Sequence, residues 1–474
     1  MSKTTASPPH IALLPSAGMG HLTPLLRLAS MLSSRSCTVT LITASPSVSA
    51  AESSHISFFL SQHPLVKHIE FQVIPSKPYS NPTTDDPFFL QFEATNRSVR
   101  LLYPSLASAS PPISAIFSDF AVASSIAPVA ADLGIPNYII STTSCKFFCL
   151  MAYLPVLLSD PLSFSSGLSE VNIPGITPLP LPSIPPPFKN PSHLLTSLIA
   201  TDAQALSKAK GILMNTFDDF EPETLAAIKS GRVLDNLPPI LPIGPLETFE
   251  PKKEQDQSYL PWLDSQPAES VVYVSFGSRT ALSSAQIREL SKGLERSGYR
   301  FLWVLKTSKV DKDDKEELKD LLEESFLDRT KNKGRVVKGW VSQQDILEHP
   351  AIGGFLNHCG WNSVMEAAWK GIPMLAWPQH MDQSVNAEVV EKAGLGIWER
   401  KWGWGLEGLV SGEEIGKKIV ELMEDEKLRG LARKVGENAG KATGIGGKSE
   451  KVLTEVLEYL EKRRTDEKSL DLCI

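Results

Sequence analysis

Short apolar runs alternate with longer amphipathic stretches along this 474-residue chain. Ile11–Leu14 is the first run. A glycine-containing turn follows, then a stretch from Leu22 to Leu32 with apolar residues at helical spacing. A second run, Thr38-Val-Thr-Leu-Ile-Thr43, completes a β–α–β unit. Further strands are predicted at Ile69–Ile74, Ala115–Phe117, Asn137–Ile140 and Gly211–Asn215, with helical stretches between them. Strands that alternate with helices imply a parallel, doubly wound sheet.

The pattern then breaks and restarts. Residues 174–191 contain eight prolines and read as an extended surface loop. A second proline-rich stretch, Leu237–Pro245, runs into the polar segment Glu250–Ser258 and is the best linker candidate. Beyond it, Ser270–Ser278 is an apolar strand that ends in Gly-Ser. Helix Ser284–Ser297 and strand Phe301–Leu305 follow, and then strands at Val336–Lys338, Gly354–Asn357 and Met374–Trp377. Lys309–Lys333 is densely charged and reads as a solvated helix and loop. Lys448–Arg464 carries a helical stripe of Val452, Leu453, Val456, Leu457 and Leu460. The expected class is α/β, with two Rossmann-like domains facing each other across a cleft. The boundaries are 1–240, a linker at 241–262, a second domain at 263–450, and a terminal helix and tail at 451–474 that packs back on the first domain.

Charge sharpens the division. Residues 1–240 hold 13 Lys/Arg and 15 Asp/Glu, whereas the remaining residues hold 34 and 39. A charge-poor first half suits an apolar pocket. The net charge of −7 argues against a general nucleic-acid binder, which needs a basic footprint. Five scattered cysteines make neither a disulfide framework nor a four-cysteine zinc site, and their spacing fits a reducing compartment. The apolar run at the start is too short for a signal peptide, and no stretch approaches the ~20 residues of a bilayer span. A cytoplasmic, monomeric chain is expected, without membrane or nucleic-acid partners, and the Asn96 sequon is read as chance.

The chemistry concentrates in Trp340–Gln383. Gly353–His358 is a strand that leads into the turn Cys359-Gly-Trp-Asn-Ser363, and a helix over Ser363–Lys370 has Glu366 in its first turn. A helix N-terminus after a strand is an anion site built of N–H groups and the positive dipole end. His358 is placed to add a donor there. Glu366 can accept from paired sugar hydroxyls, Trp340 offers a flat face for a base, and Asp382-Gln383 lies beyond another strand end. Each feature alone is weak. Together they make a site for a base, a ribose, a pyrophosphate and a polyol.

This 44-residue segment resembles the signature box of the plant family 1 glycosyltransferases, which use uridine diphosphate sugars. It matches in length and at Trp340, Gln343, His358, Gly360, Trp361, Asn362, Ser363, Glu366, Asp382 and Gln383. PSAGMGHL near the start and VYVSFGS after the linker extend the resemblance. The resemblance implies the two-domain GT-B fold. It implies that Trp340 stacks on uracil, that the Val341 backbone pairs with the uracil edge, and that Gln343 and Glu366 serve the ribose. It further implies that Ser278, His358, Asn362 and Ser363 hold the diphosphate, that Trp361, Asp382 and Gln383 hold the sugar, and that Thr142 lies near the sugar's 6-hydroxyl. UDP-glucose is then a substrate, and no cofactor or metal is expected.

His21 follows the first strand and the turn Gly18-Met-Gly20, a spacing that is not a dinucleotide fingerprint. A histidine at a strand end of a doubly wound sheet faces the ligand crevice, and its ordinary pKa of roughly 6.5 suits proton abstraction. The resemblance places the family's base here. Asp119, after a later strand, is its expected partner and orients the ring. His10, His55, His63, His68, His193 and His349 are read as surface or structural. Asp218-Asp219 and Asp313-Asp314 are read as solvated charges rather than a metal-holding pair.

The first half resembles most closely the plant C-glucosyltransferases that act on 2-hydroxyflavanones or dihydrochalcones such as phloretin. Pro15–Leu22, Asp86–Glu93 and the stretch from Gly396 to Gly405 carry that resemblance. Deprotonating a phloroglucinol-type ring puts negative charge on the carbons between its oxygens, so one base can activate carbon or oxygen. Phe88, Phe89, Phe92 and Phe120 are candidates for seating the ring, and Glu93 for binding a hydroxyl. The alternatives are a phenolic O-glucosyltransferase, a sugar-nucleotide sensor and a dehydrogenase. The sensor would lose His21 or Asp119, and the dehydrogenase needs a glycine fingerprint this chain lacks.

Overall fold

The computed structural model describes residues 8–75, 84, 86–160, 162–165, 167–248, 259–306, 318–322, 324–404 and 408–471. These divide into two compact units, residues 8–248 with 441–471, and residues 259–440. Asp313-Asp314, Glu250–Ser258, Gly405 and residues 309–317 and 323 of the charged 309–333 segment lie outside the described residues.

The first unit contains strands β1 (His10–Leu14), β2 (Thr38–Ser45), β3 (Lys67–Gln72), β4 (Ala115–Asp119), β5 (Asn137–Ser141), β6 (Glu170–Val171), β7 (Leu179–Pro180), β8 (Gly211–Met214) and β9 (Ile240–Pro242). Seven of them form one parallel sheet in the order β3-β2-β1-β4-β5-β8-β9. Both faces are buried, so the strands read as near-continuous apolar runs. Ile11 and Leu13 face Leu25, Leu28 and Leu32 of helix Met19–Ser34, while Ala12 and Leu14 pack in a second cluster with Ile126 and Val129. The last helix, Lys448–Asp471, adds Leu453, Val456, Leu457 and Leu460 to the first cluster. At roughly 1.5–3 kcal/mol per buried aliphatic side chain, that stripe holds the helix to this unit.

Three expectations need correction. Residues 241 and 242, expected in the linker, lie in β9 and pair with β8; proline is tolerated there because β9 is an edge strand. The second domain ends before residue 450, since Ser449 Oγ donates to the Gly244 carbonyl and residues from 441 on belong to the first unit. The proline-rich 174–191 segment is not merely a surface loop. Its apolar residues Leu179, Ile184 and Phe188 are fully buried, and two 3-10 turns space them.

The second unit contains β10 (Val271–Ser275), β11 (Arg300–Leu305), β12 (Gly334–Lys338), β13 (Ile352–Asn357), β14 (Met374–Ala376) and β15 (Gly396–Trp398). They form a parallel sheet in the order β12-β11-β10-β13-β14-β15. Helix Ser284–Ser297 starts on a Ser283 cap and stops at Gly298, which takes φ 72° at the C-terminus. Its Ile287, Leu290 and Leu294 pack with Val272 and Val274 of β10 and with Ile415, Ile419 and Leu422 of helix Gly412–Glu424.

In both sheets the strand order reverses beside the first strand of the unit: between β1 and β4, and between β10 and β13. Ligands of open α/β sheets bind at such reversals, beyond the carboxyl ends of the strands. Among the described residues, no helix is long and apolar enough to cross a membrane.

Candidate active site

At the β1/β4 reversal, the carboxyl end of β1 runs into Pro15–Gly18 and then into helix Met19–Ser34. β4 ends on Asp119, which is fully buried. His21 Nδ1 donates to Asp119 Oδ2 at 2.8 Å, the tautomer with its proton on Nδ1. Asp119 Oδ1 accepts from Ser16 Oγ at 3.0 Å and from Ala121 N at 2.8 Å. A carboxylate held by two further donors fixes the imidazole orientation, and the His21 side chain stays 32% exposed. Thr142 Oγ1 lies 3.4 Å from His21 Nδ1, in the loop after β5.

Helix Pro87–Ser98 begins on an Asp86 cap and carries four of the five acceptor candidates. Phe92 sets its ring edge-on to His21, with centroids 5.3 Å apart. Phe88 packs against Gly18, where an added Cβ would sit 3.2 Å from its ring. Phe89 turns instead toward His193, and Glu93 bonds Arg97 one turn on at 2.6 Å. Phe120, next to Asp119, meets Phe148 edge-on. The structure therefore brings Phe88 and Phe92 to the His21 turn. Asn96 donates to the Ala121 carbonyl at 2.6 Å, so the sequon asparagine ties this helix to the Asp119 loop.

At the β10/β13 reversal, Asn357 Nδ2 donates to the Ser275 carbonyl at 2.9 Å and Asn357 Oδ1 accepts from Cys359 N at 2.7 Å. These bonds lock the two strand ends together. Cys359 takes φ 63°, a strained angle for a residue with a side chain. The helix starts at Trp361 on a Gly360 cap, earlier than the expected Ser363, which puts Glu366 in the second turn rather than the first. His358 is wedged between two glycines. A Cβ on Gly277, which has φ 74°, would lie 2.6 Å from its ring, and one on Gly360 would lie 2.5 Å away. Burial pushes the His358 pKa down to about 4, opposed only in part by the Ser275 backbone. The ring is neutral at pH 7 and offers an N–H, not a charge.

This helix start is tied to other residues of the predicted box. Gln343 Nε2 donates to Glu366 Oε2 at 2.6 Å and to Ser363 Oγ at 2.9 Å, while Tyr273 OH donates to Gln343 Oε1 at 3.2 Å. This places the Glu366 carboxylate. Trp340 is 36% exposed after β12, whereas the neighbouring Val341 side chain is buried. The Trp361 indole is only 3% exposed, so this position presents its backbone at the helix start. Asn362 is the second residue of that helix. Ser278 is exposed beyond β10, and Lys306 donates to its carbonyl. Asp382 caps helix Gln383–Lys392 and accepts from Asn386 at 2.8 Å. Gln383 is buried, and its amide oxygen accepts from Gln379 N and His380 N.

Ser16, Tyr273 and Asn357 belong to these networks, and Glu52, whose carboxylate accepts from Gly18 N at the start of the His21 helix, joins them; sequence reasoning does not single these residues out. Ser16 and Tyr273 lie inside the quoted PSAGMGHL and VYVSFGS motifs. Ser49-x-x-Glu52 is a capping-box spacing that would have drawn attention to Glu52. Among the described residues, no three His, Cys, Asp or Glu side chains converge as a metal site. Asp218 pairs with Lys229 and Lys448.

Comparison with known proteins fits this geometry. The family profile described as "UDP-glucoronosyl and UDP-glucosyl transferase" matches residues 193–401. The chain is 50% identical over 461 residues to UDP-glycosyltransferase 708C1 of Fagopyrum esculentum, covering 97% of each. It is 46% identical over 450 residues to UDP-glycosyltransferase CGT of Oryza sativa subsp. indica, covering 94% of this chain and 95% of that one. The crystal structure of LpCGTa in complex with UDP superposes with a TM-score of 0.84 at 44% identity, covering 96% of this chain and 99% of that one.

Proposed function

We propose, starting from the fact that this chain belongs to the plant family 1 UDP-glycosyltransferases with the GT-B fold, that it transfers glucose from UDP-glucose to a ring carbon of a flavonoid precursor. His21 is the general base. The single observation that carries the reading is the His21–Asp119 pair at the β1/β4 reversal, with Phe92 edge-on to the imidazole. The relatives near 50% identity and the one named CGT support carbon as the attacked atom.

The steps follow from the residues. Phenol O–H gives its proton to His21 Nε2, and the imidazolium that forms lies against the Asp119 carboxylate. Negative charge spreads from oxygen to the ortho carbon, which attacks the anomeric carbon from the side opposite the diphosphate. The bond from that carbon to the diphosphate oxygen breaks and UDP departs with its electron pair. The charge that develops on UDP is met by the helix start at Gly360–Ser363 and the neutral His358 N–H. The attacked ring carbon then loses its proton to water, aromaticity returns as the phenolate, and the His21 imidazolium gives its proton back to the phenolate oxygen. The balance is UDP-glucose plus arene to C-glucoside, UDP and one proton. No metal or other cofactor enters these steps. The donor roles of Trp340, Val341, Gln343, Asp382 and Gln383 and the acceptor roles of Phe88, Phe89, Phe120 and Glu93 are part of the same reading. The four described cysteines are buried free thiols, which accords with a cytosolic setting.

The test is to incubate the protein with UDP-glucose and phloretin and to heat the product in acid. A C–C bond survives, and the expected result is an intact glucoside. Release of glucose would assign oxygen transfer instead.

A further inference from the structure

The turn that carries His21 is held from a place the reaction does not touch. Gly18, at φ 99° and ψ 144°, opens helix Met19–Ser34 without a side chain to cap it. Its carbonyl accepts from His21 N at 3.0 Å and Leu22 N at 2.9 Å, so the His21 backbone goes where Gly18 goes. The Gly18 N–H in turn donates to Glu52 Oε1, and Glu52 Oε2 accepts from Val48 N at 3.2 Å. Glu52 is 5% exposed and is the third residue of helix Ala50–Gln62, whose Ser49 cap takes the Glu52 N–H at 3.2 Å. An acid at this position ordinarily turns back to the N–H of its own cap residue. Here one carboxylate oxygen serves the adjoining Val48 and the other crosses to a glycine 34 residues away. A small cavity lined by Ser16, Ala17, Thr43, Ser47 and Glu52 adjoins this carboxylate.

We propose that Glu52 is a positioning residue for the general base: it pins the backbone of the Gly18 turn while Asp119 orients the His21 ring. This rests on the reading of His21 as the base. A carboxylate is required because both partners are N–H donors. Glutamine keeps the size but sets an NH₂ group against one of them. Aspartate keeps the charge but is one methylene too short to span from Val48 to Gly18.

The experiment compares Glu52→Gln, Glu52→Asp and His21→Ala in the full-length protein on two acceptors. One is a phenol that is neutral at the assay pH. The other is a nitrophenol already ionised at that pH, which has no proton to give. Misplacing a catalytic group by about an ångström costs up to roughly a hundredfold. Both Glu52 variants are therefore expected to lose about ten- to a hundredfold in kcat on the neutral phenol. They should keep the parent rate on the ionised one and the parent KM for UDP-glucose. His21→Ala should show the same split, deeper. Glu52 variants that fold and lose both acceptors alike, or neither, overturn the positioning role while His21→Ala still shows its split. The absence of a split in His21→Ala overturns the base reading itself. Glu52→Asp decides the matter if Glu52→Gln does not fold.

Discussion

The two strand-order reversals are built alike and equipped differently. Each has a strand running into a glycine turn, a neighbouring strand ending in a polar residue, and a histidine within seven residues of a strand end. At β1/β4 the histidine is 32% exposed and bonds a carboxylate that two other donors hold. At β10/β13 it is buried between Gly277 and Gly360, with its pKa lowered to about 4 by loss of solvent. The first can take a proton and rest it beside Asp119. The second stays neutral and can only donate a hydrogen bond. One residue type is thus fitted by its surroundings to the two different tasks of the proposed reaction. The same split appears in the ties between strands, which are hydroxyl to carboxylate at the first reversal and amide to backbone at the second.

The sharpest way to break this comparison is to remove the proton acceptor. His21→Ala is expected to lower kcat on a neutral phenol by about 10²–10⁴-fold, the usual contribution of a general base. UDP binding, followed by calorimetry, should stay within twofold, because the residues proposed to hold UDP itself lie in the other unit. Retention of parent kcat would move the base elsewhere and leave the two histidines without distinct tasks.

Protonation of the second histidine gives a smaller effect with a definite sign. His358 has a folded pKa of about 4 against an ordinary 6.5. Between those values the unfolded chain binds more protons, so stability is full above pH 6.5 and declines as the pH falls toward 4. The change is on the order of 3 kcal/mol. Asp202 works in the opposite sense. Burial lifts it to about 7 despite two bonds from Ser124, so its contribution is full below its ordinary carboxylate value and is lost as pH rises through 7. The quantity to read is therefore the difference between His358→Gln and the parent in urea unfolding at pH 7 and pH 4.5. The variant should lose less stability than the parent between the two. Equal losses would mean that His358 is not held neutral by burial.

Much of this was legible before any coordinates. β1, β2, β4, β5, β8, β10, β11 and β13 are apolar runs flanked by glycine, proline or polar residues, and strand ends in such a sheet are where ligands bind. That logic points to His21 and His358 as crevice residues, while the base role of His21 and the pairing with Asp119 come from the family resemblance. β9 was missed because an edge strand tolerates the prolines that signal a linker. The burial of Ile184 and Phe188 was missed because proline content reports backbone shape, not which side of the chain faces a core. The ties that finish the site span long separations, 103 residues for Ser16 to Asp119 and 34 for Gly18 to Glu52. No local periodicity encodes such pairs. They become visible only once the sheet has set β1 beside β4 and β2.

Ser16→Ala gives the finest resolution of the difference between the reversals. The Ser16 hydroxyl donates to Asp119 Oδ1 at 3.0 Å, and the Ala121 N–H donates to the same oxygen at 2.8 Å. Losing one of two donors leaves the carboxylate held and still bonded to His21. A hydrogen bond of this kind contributes about 1 kcal/mol net, so kcat should fall by no more than about fivefold. The KM for UDP-glucose should not move. If the bond merely ties β1 to β4, melting temperature falls and kcat does not, and the carboxylate is then oriented by Ala121 alone. If it shares in orienting the carboxylate, kcat falls within that limit while the fold stays intact. A loss approaching that of His21→Ala would mean that Ser16 itself meets the acceptor, which would make the first reversal a three-residue device unlike anything at the second.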